Sequence, residues 1–285
     1  VLFNCDIIKS NQTNGSEIAI KVAKFWRKPL IGRMGFILSE FQKNRKGKES
    51  LSYQLSYQTE RKLLKKSKKI VVTTEEMKNQ LIGLHNYVNN NIITIPNYVD
   101  TRIFTPENDR AAIEYDIIFI GRMSIQKNIE NLLIAINRLN IKSLIIGNGP
   151  LKKDLEKRFN SSSIKWIDKV DNHQLPYYLN RSAIYIIPSL YEGHPKTLLE
   201  AMSCECAVIG SNKPGIKNII NNGVNGILCE TSSENIADTI MILLSKPDLR
   251  QFLGKNARKD ISSKFSLEKI INLELELYNG LIERT

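Results

Sequence analysis

The chain has 285 residues, of which 42% are hydrophobic, and a formal net charge of +12 at pH 7. This length allows two α/β domains or one large one, and the apolar fraction suits a packed core, which excludes a disordered or fibrous protein. Apolar runs stay shorter than the roughly 18 residues that span a bilayer, and the first residues lack a signal-peptide pattern. We therefore expect a cytoplasmic protein. Because the sequence starts inside the strand-like run Val1-Leu2-Phe3, we also expect a preceding segment to be missing.

Cysteine and histidine residues are few and scattered. The four cysteines have neither the number nor the spacing of a disulfide framework or a zinc site, and Cys204 and Cys206 are separated by one residue instead of the two of a redox motif. The three histidines lie in unrelated elements. We expect reduced core cysteines and no metal.

The positive charge is concentrated between residues 42 and 69, where ten Lys and Arg residues stand against Glu49 and Glu60, a net +8. Leucine and tyrosine residues are interleaved with the cations, so this segment could lie against an anionic membrane surface or bind an acidic substrate. A solvated lysine-rich helix with one packed face explains the same pattern. Nucleic acid is not expected, because no helix-turn-helix, zinc-finger or RNP pattern accompanies the charge.

Strand-like and helical segments alternate along nearly the whole chain, which predicts α/β architecture with parallel sheets covered by helices. A hydroxyl cap at Thr74 followed by Glu75 and Glu76 predicts a helix to about Leu84, and apolar spacing predicts a final helix over 266–282. The predicted strands are 29–34, 69–73, 91–95, 115–120, 142–146, 163–167, 183–187, 206–210 and 226–229.

A polar, proline-punctuated stretch between Pro96 and Glu114 interrupts this alternation. We place the domain boundary there. The expected division is a first, incomplete Rossmann-like domain at 1–108, a second at 109–264, and a terminal helix at 265–285 that packs back toward the first domain.

Two loops at predicted strand ends carry groups suited to a phosphorylated ligand, since ligands of open α/β sheets collect outside the carboxyl ends of strands. After the strand 115–120, Arg122 and Lys127 can bind phosphate oxygens, although two surface cations would look the same. After the strand 142–146, Gly147 and Gly149 form a tight turn that leaves room for a ligand. The third glycine of a dinucleotide fingerprint is Lys152 here, which argues against NAD.

A third loop places two carboxylates around a glycine at a helix start. Free N–H groups at a helix start favour an anion, and Gly193 lets it approach the backbone. Glu200, expected in the first turn, could accept hydrogen bonds from ribose hydroxyls, and Glu192 could meet those of a sugar. Glu200 could instead only favour the helix dipole. A glycoside hydrolase also uses two carboxylates, but it needs no phosphate-binding loop.

Together these motifs resemble the retaining glycosyltransferases of family 4, which have the two-domain GT-B fold. The two glutamates with seven residues between them are characteristic. The other matching motifs are Gly121-Arg122 with Lys127, 147–151, 188–193 with 200–202, Pro214-Gly215-Ile216, 222–226 and 95–100. The resemblance extends from about residue 60 to the end and more loosely before it. Two departures are Lys9, where the family often has histidine, and Glu205, where it commonly has glycine.

The resemblance implies a role for each matching residue. Arg122 and Lys127 would bind the donor diphosphate and neutralise the leaving group, Glu200 would bind the ribose, and Glu192, counted with the catalytic groups, would contact donor sugar or phosphate. The loop 168–170 would line the base. The remaining donor-binding residues implied are Gly121, Gly147, Gly149, Lys169, Val170, Gly193, His194, Pro195, Lys196 and Thr197.

The activity implied is transfer of a sugar, with retention, from a UDP- or GDP-type donor to a glycan or lipid-linked acceptor in cell-surface polysaccharide synthesis. The implied reaction usually needs no metal and no other cofactor. The basic segment 42–69 would hold the protein peripherally at the inner face of the cell membrane. Two alternatives stay open: a non-catalytic nucleotide-sugar-binding protein, and a sugar-nucleotide epimerase or phosphorylase of the same fold.

Overall fold

The structure, a computed structural model, describes residues 5–88, 90–107 and 112–282. Its contacts divide the chain into two compact units, the first made of residues 1–97 and 270–285 and the second of residues 98–269. The sequence predicts a domain boundary after residue 108, and these predicted domain limits remain a proposal. The strand-like run at residues 1–3 lies outside the described residues.

The first unit is a parallel four-stranded sheet with strand order β1-β2-β3-β4. Thr74 caps α4 by accepting a hydrogen bond from the Met77 amide at 3.0 Å, as the sequence predicts. The elements before the second unit are β1 (Ile8–Lys9), α1 (Ser16–Trp26), β2 (Leu30–Met34), α2 (Leu38–Lys46), α3 (Leu51–Lys66), β3 (Lys69–Val72), α4 (Glu75–His85) and β4 (Ile92–Thr94).

The second unit contains a parallel six-stranded sheet with strand order β10-β9-β8-β5-β6-β7. Two 3-10 turns, at Ile125–Lys127 and Asn172–Gln174, follow strands β5 and β7. The remaining elements are β5 (Tyr115–Ile120), α5 (Ile129–Leu139), β6 (Ser143–Ile146), α6 (Lys152–Arg158), β7 (Ile164–Ile167), α7 (Leu175–Asn180), β8 (Ser182–Ile187), α8 (Lys196–Ser203), β9 (Ala207–Ser211), β10 (Ile227–Cys229), α9 (Ser233–Leu244), α10 (Pro247–Lys264) and α11 (Leu267–Ile282).

The predicted fold class is confirmed: both sheets are parallel, and the ends of each predicted strand fall within one residue of the observed strand. Short apolar runs are easy to place because parallel strands are covered on both faces. One face of the second sheet packs through Ile118 and Tyr185, and the other through Ile117 and Ile184.

From Ile270 onward, α11 packs on the first sheet. Ile270 and Leu281 lie in one apolar cluster with Ile31 of β2 and Val71 of β3. Glu274 of the same helix pairs with Lys9, the residue that stands where the resembled family often has histidine.

Burial opposes the charge of Glu274, but hydrogen bonds from Lys9 and Tyr278 and the charges of Lys9 and Arg33 outweigh it and lower the pKa of this carboxyl. The Arg33 guanidinium lies 3.2 Å from Glu274 Oε1. Lys9 is therefore part of an ion-pair cluster that helps to hold α11 on the sheet.

All four cysteines are free, and Cys204, Cys206 and Cys229 are buried in the second unit. Burial raises the pKa of the Cys204 and Cys229 thiols, which keeps them protonated at neutral pH. Within residues 5–88, 90–107 and 112–282, no cluster of three or more His, Cys, Asp or Glu side chains could hold a metal ion. Over the same residues, no helix is both long and apolar enough to pass through a bilayer.

Candidate functional site

The direction of the chain through the second sheet changes between β5 and β8. From β5 the chain proceeds to β6 and β7 on one side, whereas β8, β9 and β10 continue on the other. In open parallel sheets such a switch point leaves a crevice outside the carboxyl ends of the two strands, and ligands bind there. The loops after β5 and β8 therefore border the candidate site.

These two loops are hydrogen-bonded to each other through Gln126. Its backbone carbonyl accepts a hydrogen bond from the Leu190 amide at 2.8 Å, and its side-chain amide donates to the Tyr191 carbonyl at 2.9 Å. Gln126 thus fixes the distance between the loops. This role of Gln126 is not predictable from the sequence, because it depends on which strands are neighbours.

The joined loops bring Lys127 and Glu192 together. Lys127 Nζ lies 2.5 Å from Glu192 Oε1, and the two side chains are only 18% and 10% exposed. The end of the Lys127 turn is held by Asn128, whose side-chain amide donates to the Thr231 carbonyl at 2.8 Å. A cation and a carboxylate, both predicted as site residues, can therefore reach the same bound molecule.

The two glycines after β6 allow the loops after β5 and β6 to touch. Gly147 has φ +143, and a Cβ there would lie 1.9 Å from the Gly121 carbonyl oxygen. A Cβ on Gly149 would lie 2.4 Å from the Met123 carbonyl oxygen. Backbone atoms cannot yield at such distances, so these positions need glycine for loop packing whatever they bind.

Glu200 is buried, with 1% of its surface exposed, and its Oε1 accepts a hydrogen bond from the Asn172 side-chain amide at 2.9 Å. Burial raises the pKa of this carboxyl, while the Asn172 hydrogen bond and the charge of Lys196 oppose the rise. The expectation that Glu200 lies in the first helical turn is wrong. Because α8 begins only at Lys196, after Pro195 as N-cap, Glu200 falls in the second turn.

The first turn of α8 presents backbone groups more than side chains. Pro195 provides no side-chain cap. Thr197 accepts a hydrogen bond from the buried Tyr185 hydroxyl at 2.8 Å, and the His194 ring packs 5.2 Å from that of Phe265. The Lys196 ammonium lies 5.1 Å from the centre of the Tyr98 ring. An anion at this end of α8 would therefore meet the N–H groups that every helix start leaves unbonded.

Gly193 lies on the loop that enters α8, and the chain segment at Gly215 packs against it. A Cβ on Gly215, which has φ +82, would lie 2.4 Å from the Glu192 carbonyl oxygen and 2.5 Å from that of Gly193. The segment after β9 therefore supports the loop that contains Glu192 and Gly193 through close backbone packing.

The remaining predicted residues lie at the same edge of the sheet with fewer contacts. Arg122 is exposed and makes no ion pair with any other described residue. Lys169 is exposed after β7, and Val170 is half-buried against the core.

Lys152 explains the missing third glycine of the dinucleotide fingerprint. It is 6% exposed and forms ion pairs with Asp168 and, at 3.3 Å, with Glu156. A lysine at this position therefore anchors the loop after β7. Like the roles of Gln126 and Asn172, this role has no signal in the sequence.

The family model described as Glycosyl transferases group 1 matches residues 101–260, more than half of the chain. The chain belongs to this family. The resemblance drawn from the motifs is thereby confirmed, and the site residues predicted from the sequence, which run from Gly121 to Glu200, fall within the matched residues.

Among curated proteins, the chain is 30% identical over 168 residues to an uncharacterised glycosyltransferase of Methanocaldococcus jannaschii. The matched region covers 58% of this chain and 48% of that protein. The chain is 24% identical over 181 residues to the alpha-maltose-1-phosphate synthase of Mycolicibacterium smegmatis, covering 57% and 47%. The chain thus spans about half the length of the curated relatives it matches.

Solved structures share the fold. Sucrose-phosphate synthase from Thermosynechococcus elongatus superposes with a TM-score of 0.85 at 20% identity, covering 98% of this chain and 74% of that one. HepE of Anabaena, solved in complex with UDP and glucose, superposes with a TM-score of 0.86 at 16% identity, covering 98% and 79%. At these identities the likeness establishes the GT-B-like fold of the group 1 protein and nothing finer.

Proposed function

We propose that the protein is a retaining glycosyltransferase that uses a nucleotide-sugar donor. The observation that carries this proposal is the Lys127–Glu192 pair at the switch point of the second sheet, directly before the start of α8. Membership of the glycosyl transferases group 1 family supports it, as do relatives named as synthases and transferases, including the alpha-D-kanosaminyltransferase of Streptomyces kanamyceticus.

The proposed donor is a UDP- or GDP-sugar. HepE of Anabaena has been solved with UDP and with UDP-glucose, which supports a donor of this type. In this arrangement Arg122 and Lys127 contact the diphosphate together with the backbone of 193–197, and Lys169 and Val170 line the base. Glu200 accepts hydrogen bonds from the ribose hydroxyls with the oxygen that Asn172 does not occupy.

The proposed chemistry breaks the bond between the anomeric carbon and the diphosphate oxygen, and forms a bond from an acceptor oxygen on the same face of the sugar. The electron pair of the broken bond goes to the diphosphate. Lys127 and Arg122 stabilise that developing charge, and the acceptor proton passes to the leaving phosphate oxygen. Glu192, hydrogen-bonded to Lys127, is placed to contact donor sugar hydroxyls.

The proposed acceptor is a glycan or lipid-linked molecule of cell-surface polysaccharide synthesis, met at the inner face of the cell membrane. The basic segment 42–69 supports this proposal, because all of its cations except Lys69 are exposed. Its one buried carboxylate, Glu60, is turned inward and bonded to Ser39 and His85, so it is not part of the exposed surface.

Turnover of a UDP- or GDP-sugar tests the proposal. We expect Lys127→Ala to lower kcat/KM by about 10²–10³-fold, the usual effect of removing a group that stabilises a leaving charge. Glu200→Gln should weaken donor binding, and the exposed Lys157→Ala serves as the matched control. If both site variants keep the full rate, the assignment of the site is wrong.

Product analysis separates the alternatives. Retained configuration at the transferred sugar, read by NMR, supports the proposed reaction. A rearranged nucleotide sugar formed without acceptor indicates an epimerase. Donor binding without turnover across a set of acceptors indicates a non-catalytic binding protein.

A further inference from the structure

The helix α1 is apolar on two opposite sides. Ile20 and Ala23 pack in the core of the first unit, as expected for a helix covering a sheet. On the other side, Ile18 and Phe25 are 69% and 82% exposed, and Val22 lies between them, half-buried. Positions 18, 22 and 25 share one helical face.

The outer side of α3 also carries exposed apolar side chains. Leu51 and Leu55, one turn apart, are 70% and 53% exposed, whereas Leu63 and Leu64 are fully buried on the inner side. Helical spacing places the exposed Lys62 and Lys66 on the same outer side as the two leucines. This helix therefore presents leucines at its start and lysines toward its end.

The two helices are neighbours. Lys62 Nζ of α3 lies 3.8 Å from Glu17 Oε1 of α1, and both helices contribute to one apolar cluster. Their outer sides, together with the exposed cations that border them, form one surface, which we call the docking face. It consists of Ile18, Lys21, Val22, Lys24, Phe25, Leu51, Leu55, Arg61, Lys62, Lys65 and Lys66.

We propose that the docking face lies on an anionic membrane surface, with Ile18, Phe25, Leu51 and Leu55 inserted between headgroups. The charge of the face selects this occupant: six exposed cations surround the apolar side chains, and Glu17 is the acidic neighbour on α1. Apolar side chains ringed by lysine and arginine are the composition of interfacial helices that bind anionic lipid. Lys43, Arg45, Lys46 and Lys48, at the adjoining end of α2 and just after it, extend the positive surface.

This inference rests on the membrane partner proposed above and extends it to α1, which lies outside the segment 42–69. This extension changes the expected salt dependence of membrane binding. A purely basic segment binds through charge alone and is released by salt, because exposed charges are screened over about 8 Å at physiological ionic strength. Insertion of apolar side chains adds a part that salt does not remove.

Co-sedimentation of the full chain with vesicles of equal parts phosphatidylglycerol and phosphatidylcholine, without nucleotide sugar, tests the inference. Ile18→Ser/Phe25→Ser should lower the vesicle partition coefficient by about tenfold and remove most of the binding that persists at high salt. Lys62→Ala/Lys66→Ala should lower it about 5-fold for each lysine removed. The matched controls, which should bind like the native protein, are Met241→Ser/Ile242→Ser on α9 and Lys255→Ala/Lys259→Ala on α10.

The outcomes separate this inference from the broader proposals. If Ile18→Ser/Phe25→Ser binds like the native chain while the lysine variant does not, insertion of α1 is wrong and the basic segment alone is the contact. Equal binding to vesicles of phosphatidylcholine alone contradicts the proposal. A native dimer that this apolar variant converts to monomer, without vesicle binding, shows that the face joins two copies. UDP-glucose affinity, measured in parallel, tests the donor site separately. A failure of the donor-site proposal is therefore distinguishable from a failure of vesicle binding.

Discussion

Glu192 and Glu200 carry the same functional group in different surroundings. Glu192 is paired with Lys127, whereas Glu200 is buried and meets an uncharged amide. Lys196 adds a favourable but more distant charge to Glu200, and the hydroxyl of Tyr185 lies near both carboxylates. A buried carboxylate without a direct cation costs stability in its ionised form, so Glu200 has the character of a group kept for binding.

This environment predicts a pH dependence. Burial raises the pKa of Glu200 in the folded state, so the folded protein holds this proton over a pH range in which the unfolded chain has lost it. Stability from this group is therefore present at low pH and falls as pH rises from the ordinary glutamate pKa through the raised one. Glu200→Gln should remove this decline. The unfolding free energy of the variant minus that of the native protein should therefore increase as pH rises from the ordinary glutamate pKa through the raised one.

Urea unfolding at several pH values measures this effect. The exposed Glu276→Gln on α11 is the matched control and should run parallel to the native protein. If the unfolding free energy of Glu200→Gln changes with pH in parallel with that of the native protein, burial does not raise the pKa of Glu200 and the prediction is wrong.

At the scale of elements, the turn between α8 and β9 explains a departure from the resembled family. Glu205 has φ +57. Its amide donates to the Met202 carbonyl at 3.1 Å, and the Cys206 amide donates to the Ala201 carbonyl at 3.1 Å. These two bonds define a Schellman motif, whose left-handed position is usually glycine. A side chain at this position therefore stores backbone strain.

We expect Glu205→Gly to raise the unfolding free energy by about 1 kcal/mol, because glycine adopts the left-handed region without the cost that other residues meet there. Thermal or denaturant unfolding measures the change. Glu205→Ala is the control: it shortens the side chain but keeps the Cβ, so it should give no comparable gain. Equal gains from both variants would place the cost in the glutamate side chain instead of the backbone.

At the scale of the whole molecule, each of the two units has its own parallel sheet and its own core. The proposed donor contacts come from loops of the second unit, which are tied to one another through Gln126, Gly147 and Gly215. A ligand that binds only the folded protein lowers the population of states in which its contact segments are locally open.

Hydrogen exchange of the full chain should therefore show the strongest UDP-dependent protection at 121–128, 189–200 and the loop after β7. The diphosphate is the reason for protection of 121–128. Uridine, which keeps the base and the ribose but lacks the diphosphate, is therefore the control and should leave 121–128 unprotected. Protection confined to residues 5–88 would contradict a donor site in the second unit.

Sequence patterns alone were sufficient to predict the fold class, every described strand except the two-residue β1, and the segments that carry the proposed site. Runs such as 115–120 and 183–187 are apolar because parallel strands are buried on both faces, and burial is what sequence periodicity records. The proposed site residues Lys127, Glu192 and Glu200 were predictable because the segments that carry them follow such strands and their spacing resembles that of a known family.

The identity of neighbouring strands is a property of the folded chain. It follows from this folded arrangement that Gln126 joins two loops, that Lys127 meets Glu192, and that Asn172 donates a hydrogen bond to Glu200. The tertiary structure also placed Glu200 in the second helical turn and left the outer side of α1 exposed. These features depend on contacts between residues far apart in the chain. Local propensity and periodicity carry no record of such partners, because one apolar or polar pattern is compatible with many packing arrangements.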